Sequence, residues 1–325
     1  MKVLFLLLCA LIGGGIATGR EVFVFFYRFG SIGLAFLILS CILLAMTLYF
    51  LYKKCRKEQI VSFQQLNNKL FPRTNGIIFV IYNICLVITC ATMLSGCQSL
   101  FDDFWAVSFP FESILLMLVC LILLHKGIDY IAKASLPISV VMVVVLVLSC
   151  VFNLPTIRLS NFYANSGGAV IYGGLFVASN FMLLVSLVLS LNIKKSRATF
   201  ISFGISVALV LSLIYLALAS NKVVPDSEMP LIYLPNSTTS SLIYVLSIMF
   251  AMVTTLITSL YALNNNMATI FGSEKKSALI CSLVIYILSM MSFGSLVKYG
   301  FPAMGAIGAI FLIRSLIFSF DKRKN

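Results

Sequence analysis

Histidine is almost missing from this chain, with His125 the only one among 325 residues. A histidine-based catalytic triad or metal cage therefore has no basis in the sequence. The nine cysteines form no CxxC pair, and eight of them fall in apolar stretches or an inner loop, so neither zinc binding nor thiol redox chemistry is indicated. Only Cys97 approaches the outer side, and no disulfide is expected. No glycine-rich phosphate loop of the P-loop type occurs. Charge is scarce as well: only 10% of residues are charged, and ten of them are acidic.

What fills the chain instead is hydrocarbon. Hydrophobic residues make up 61% of it, and the mean hydropathy is +1.09, which leaves too little polar surface to cover a soluble globule. A bilayer core takes about 20 apolar residues per helix. Ten such stretches are legible, near 3–26, 29–51, 75–96, 109–125, 131–152, 168–191, 199–219, 241–262, 277–296 and 301–319. The expected fold class is thus an all-α integral membrane protein of about ten helices, forming one transmembrane unit over 1–325.

Lysine and arginine orient it, because short cytoplasmic loops are enriched in both. With the N-terminus inside, 17 fall in inner segments: Lys2; Lys53, Lys54, Arg56, Lys57, Lys69 and Arg73; Lys126 and Lys133; Lys194, Lys195 and Arg197; Lys275 and Lys276; and Lys322, Arg323 and Lys324. The outer loops hold 3, Arg158, Lys222 and Lys298. Both termini are therefore expected in the cytoplasm of a multi-pass cell-membrane protein. The net charge of +13 reads as topology, and no nucleic-acid partner is expected.

The first stretch holds the sharpest oddity. "IGGGIATGRE" puts Gly13, Gly14, Gly15 and Gly19 in an apolar run, followed by the charged pair Arg20 and Glu21. Lys2, the run from Val3 to Ile12 and the small residues Ala17, Thr18 and Gly19 fit a cleaved signal peptide loosely, but hydrophobicity resumes at once in "EVFVFF". A different organisation accounts for the glycines. Transporters built from inverted repeats carry glycine-interrupted spans at corresponding positions of the two halves, where free backbone groups bind substrate and ions. The sixth stretch, "NSGGAVIYGGLFVASN", is glycine-rich too and opens the second half. The repeats are expected at about 1–155 and 162–319, with a broken helix first in each.

"GGGIATGREVFVFFYRFG" resembles the first-span signature of the YkvI-type amino acid permease family, in the amino acid/polyamine/organocation superfamily with the LeuT-type fold. "ATMLSGCQSLFDDF", "SLP" at 135–137, "SEMPLIYL" and "MFAMVTTLITSLYAL" point the same way. One departure is Arg20, where that pattern carries glutamine. The resemblance implies that Gly13, Gly14, Gly15 and Ile16 offer amide N–H groups to a substrate carboxylate. It also implies that broken backbone near Tyr172, Gly173 and Gly174 offers carbonyls to an ammonium, with Tyr172, Phe176 and Asn180 shaping the pocket.

Two coupling ions stay open. Adjacent hydroxyls at Thr254 and Thr255 fit an all-oxygen sodium site shared with the first span, although buried threonines also bond the carbonyl one turn back. Arg20 and Glu21 fit an outer gate, and Glu21 is the best candidate for proton coupling. No cofactor is expected beyond sodium or a proton. The expected partners are a small-molecule substrate and the lipid bilayer, with the oligomeric state left open. Residues 52–74 place Phe63, Leu66 and Leu70 at helical spacing, which predicts an amphipathic connection lying on anionic lipid at the cytoplasmic face. The expected function is ion-gradient-driven transport of an amino acid or related small amine-bearing solute, without enzyme activity. A sensing receptor subunit of the germination-receptor type is the alternative.

Overall fold

The computed structural model describes residues 2–105, 111–125, 128–153, 166–191, 193, 195–219, 227–235 and 238–320. Arg158, Lys222, Lys126, Lys194 and the basic residues at 322–324 lie outside them. Every described element is helical. The first stretch is split into α1 (Lys2–Leu11), α2 (Gly14–Ala17) and α3 (Arg20–Phe25), followed by a 3-10 turn at Tyr27–Phe29. Then come α4 (Ser31–Lys57), α5 (Phe63–Leu70), α6 (Asn75–Trp105), α7 (Phe111–His125) and α8 (Ile128–Asn153). The remainder is α9 (Ser166–Ser190), α10 (Ser196–Leu218), a 3-10 turn at Pro230–Tyr233, α11 (Thr238–Phe271), α12 (Glu274–Ser289), α13 (Phe293–Ser295), a π-turn at Leu296–Gly300 and α14 (Phe301–Phe320).

Six described helices are long and apolar enough to cross a membrane: Ser31–Lys57, Asn75–Phe104, Gly167–Leu189, Ser196–Leu218, Ser240–Ala268 and Phe293–Phe320. Two more apolar stretches, Glu112–Leu124 and Val140–Phe152, are shorter. The boundary between the last two expected spans moves toward the N-terminus: α12 stops at Ser289, and Ser292 caps the following helix by accepting from the Ser295 N–H at 3.3 Å. Isoleucines, leucines and valines line the outside of these helices, including Ile38, Leu115, Ile122, Leu209, Leu283 and Ile313, as lipid-facing residues should.

Small residues set the closest approaches, as expected where the solvent is itself apolar. A Cβ at Gly305 would stand 2.5 Å from the Leu175 carbonyl oxygen and one at Gly308 2.6 Å from that of Ala178, so α14 lies directly on the α9 backbone. α4 packs against α9 and α10, while α6 packs against α11 and α12.

The connection at 52–74 departs from expectation. It is helical at α5, but its apolar face turns into the protein and not onto lipid. Phe63 stacks on Tyr82 with ring centres 3.8 Å apart and lies 5.4 Å from Phe311, while Phe63, Leu66 and Leu70 are all buried. The stripe was visible in sequence; the aromatic floor beneath it comes from α6 and α14, remote in the chain.

Candidate functional site

The break in the first span lies at Ile12–Gly13. Gly13 is extended (φ −84°, ψ −172°) and its N–H reaches back only two residues, to the Leu11 carbonyl at 2.8 Å. Helical bonding resumes with Ala17 N–H to Gly13 O and Thr18 N–H to Gly14 O. The N–H groups of Gly14, Gly15 and Ile16 and the carbonyls of Ala10 and Ile12 thus find no hydrogen-bond partner among the described residues. Such groups are costly in a membrane interior unless they serve a site. A second interruption follows at Gly19, whose φ of +78° favours glycine and turns the chain into α3.

The surroundings of the break come from four other helices, α6, α9, α11 and α14. α11 presents the Thr255 hydroxyl, 3.1 Å from where a Gly13 Cβ would stand, and Met252 against Gly14 and Gly96. α6 adds the Met93 sulfur, 3.1 Å from the Gly14 position. Against the position of a Gly15 Cβ lie Phe301, at 3.2 Å, and the Glu21 carboxylate, whose Oε2 would be 3.0 Å away. Asn180 on α9 donates to Glu21 Oε1 at 3.3 Å and to the Phe176 carbonyl at 3.0 Å. Phe176 packs edge-on to Phe25 and Phe26, with ring centres 5.7 and 5.0 Å apart.

The expected break in the sixth span is absent. α9 runs unbroken from Ser166 to Ser190. Gly173 is a packing site: the Ser40 hydroxyl donates to its carbonyl at 3.2 Å, and a Cβ there would meet that oxygen at 2.9 Å. Gly174 is exposed, with nothing within 4 Å of a Cβ. Tyr172 carries the Arg28 guanidinium 3.8 Å above its ring, well occupied without a substrate. Two separated glycine pairs cost a helix a few kcal/mol at most, which packing can offset; three in a row, with a left-handed fourth, end it. Of the five residues expected on α9, Phe176 and Asn180 reach the broken segment, and Tyr172, Gly173 and Gly174 offer no free carbonyl.

The two threonines sit where expected on α11, but both hydroxyls donate to the Ala251 carbonyl, at 3.0 Å from Thr254 and 2.9 Å from Thr255. Arg20 and Glu21 also diverge. Arg20 donates to the Ser227 carbonyl at 3.0 Å, in the loop at 227–235, while Glu21 points to Gly15 and Asn180.

The loop at 227–235 packs over the second interruption, at Gly19, which the sequence did not foretell. The Leu231 N–H donates to the Thr18 carbonyl at 3.1 Å and its side chain fills the space over Gly19. Glu228 accepts from the Ser99 hydroxyl at 3.2 Å and lies over Gly294. The Tyr244 hydroxyl on α11 donates to Ala17 O at 3.0 Å, tying α2 down. Met229, Pro230, Leu231, Ile232 and Leu234 are all buried, and only the run "SEMPLIYL" hinted at them.

A cavity of about 240 Å³ between α8 and α11 is lined by Pro137, Val141, Met142, Ser247 and Phe250, none of them an expected site residue. No group of three or more His, Cys, Asp or Glu able to hold a metal occurs among the described residues. Cys41, Cys55, Cys85, Cys90, Cys97, Cys120, Cys150 and Cys281 are buried free thiols.

These features are those of a helical membrane protein whose first apolar stretch is broken, and known proteins give the same class. Two mutants of the manganese transporter of Eremococcus coleocola share the fold, each with a TM-score of 0.66 over 97% of this chain and 78% of that one, at 14% identity. The chain has the fold of a membrane transporter. In sequence it is 24% identical over 336 residues to the uncharacterized membrane protein YkvI of Bacillus subtilis (strain 168), covering 96% of this chain and 93% of that protein. No family model matches.

Proposed function

We propose that this protein is a secondary transporter, driven by an ion gradient, which moves an amino acid or related small amine-bearing solute across the cell membrane by alternating access, with both termini in the cytoplasm. The observation that carries the reading is the break at Ile12–Gly13, where unpaired backbone donors and acceptors sit deep in the protein beside Thr255, Met252, Phe301 and Glu21. The substrate binds there, on the Gly13–Ile16 segment, and the buried loop 227–235 closes it from outside.

Ten spans in two inverted sets of five accord with the packing. The second span lies on the seventh (α4 on α10) and the third on the eighth (α6 on α11), the pairs such a repeat relates. The continuous α9 makes the site one-sided, built on the first span alone. Sodium binds where Thr255 faces Gly13 and the Ala10 and Ile12 carbonyls are free, a set of hard oxygen ligands. Glu21 is the proton-coupling alternative. Manganese, named for the structural neighbours, does not carry over: the likeness extends to the fold, and Glu21 is the one carboxylate that meets the broken segment among the described residues.

The test is thermal stability of the purified protein against a panel of amino acids, polyamines and organic cations, in sodium and in potassium. A ligand at about 100 times its Kd adds roughly 2.7 kcal/mol, enough to raise the Tm. An amino acid that stabilises supports the reading; silence across the panel in both salts refutes it.

A further inference from the structure

A continuous α9 removes the carbonyls that a broken sixth helix would have turned toward a substrate ammonium. Another group stands at the break in their stead. Glu21 lies six residues beyond Gly15, is 6% exposed, and brings Oε2 to 3.0 Å from the Gly15 Cβ position while Oε1 accepts from Asn180 at 3.3 Å. The ion pairs formed by Glu58 with Lys54 and Lys69 are far off at the cytoplasmic end, and neither includes Glu21. The two arginines that share its segment are directed elsewhere, Arg20 to the Ser227 carbonyl and Arg28 onto the Tyr172 ring.

A carboxylate held by one neutral amide, buried beside Phe301 at the Gly15 position, is expensive to keep charged unless a cation joins it. An ammonium answers that need with charge-assisted hydrogen bonds. We propose that the Glu21 carboxylate, held in place by the Asn180 amide, accepts the substrate's ammonium group, so that the site selects solutes bearing a protonated amine. The inference rests on the transporter reading above and names the group that sets its substrate class. Asn180 is a positioning residue here: it fixes Oε1 and leaves Oε2 facing the broken segment.

The experiment measures binding to the purified full-length chain by thermal shift and titration. The probes are the twenty L-amino acids, the 2-oxo acid matching each one that binds, and methylamine as an ammonium-only probe. Wild-type protein should bind at least one amino acid and not its 2-oxo acid, which keeps the carboxylate and the side chain but has no amine. Glu21→Gln should lose roughly ten- to a hundredfold in affinity for that amino acid, the range for hydrogen bonds to charged groups. Glu21→Asp should retain more than Glu21→Gln. Equal binding of amino acid and 2-oxo acid by the wild type overturns the inference even if no variant folds. Equal binding of the amino acid by wild type and Glu21→Gln overturns it while leaving the transporter reading intact. If neither an amino acid nor methylamine binds the wild type, that reading and this inference fall together.

Discussion

Gly174→Ala and Gly305→Ala pose the same chemical change in opposite surroundings, and the fold assigns them opposite signs. At Gly305 the new methyl would stand 2.5 Å from the Leu175 carbonyl oxygen, where ordinary contact begins at 3.4 Å, so α14 must retreat from α9 by roughly 0.9 Å. A gap of that order forfeits between a quarter and a half of each van der Waals contact it opens. Overpacking of this kind costs about 1–3 kcal/mol, and Gly308, one turn on and just as close to Ala178, gives no room to pivot. At Gly174 the methyl meets nothing within 4 Å, in the middle of a continuous helix. Alanine should gain about 0.5–1 kcal/mol there from lower backbone entropy in the unfolded chain. The assay is thermal unfolding of the two purified variants in one detergent, followed by size-exclusion recovery. A lowered Tm for Gly174→Ala would refute the reasoning, because it would mean that the sixth span needs glycine at that point, as a broken helix does.

Four further outcomes follow from the same contacts. Phe63→Ala should lower stability by about 3–5 kcal/mol in detergent without anionic lipid, since its ring lies on Tyr82 and Phe311; a loss seen only in anionic bilayers would restore the lipid-bound α5. Tyr52→Phe removes the oxygen that accepts from the buried Ile193 N–H at 2.8 Å, which should cost about 1–3 kcal/mol in the same unfolding assay. Glu58 stands at the C-terminal end of α4; burial alone would raise its pKa, but the Lys69 and Lys54 ammonium groups outweigh it and hold the carboxyl below its ordinary value. Its stabilisation is therefore full above the unfolded value of about 4.3 and lost as pH falls through the lower folded value. Glu58→Gln should thus cost no more than about 1 kcal/mol at neutral pH and nothing in strong acid, as read from unfolding across that range. Thr254→Ala combined with Thr255→Ala should abolish sodium dependence of uptake; unchanged dependence would move the coupling to Glu21 and protons.

Much of the architecture was legible because lipid imposes a simple code of apolar runs and flanking lysines. Ser31–Lys57 and Ser196–Leu218 fall almost where the runs place them. The glycine run at 13–15 also announced its own break, since three consecutive residues without side chains leave a helix neither packing nor stiffness there. The same signal misled at Gly173 and Gly174, because composition does not say what a glycine faces. One lets the Ser40 hydroxyl reach its carbonyl and the other faces open space. The loop at 227–235 was hidden for a different reason: Leu231 matters through its seat over Gly19, a contact between segments more than 200 residues apart. The same holds for Glu21, whose charge was plain in sequence while its partner Asn180 lies 159 positions away.

The central claim is that the broken first span binds the substrate of a transporter. It is tested most directly by uptake of a radiolabelled amino acid mixture into proteoliposomes, under an inward sodium or proton gradient, with wild type beside Gly15→Ala. That substitution puts a methyl 3.0 Å from the Glu21 carboxylate and 3.2 Å from Phe301, small shifts for folding but an obstruction at the site. The account predicts gradient-dependent uptake by the wild type and its loss in the variant at similar protein recovery. Uptake no greater than into empty liposomes under either gradient, or undiminished in the variant, would contradict it.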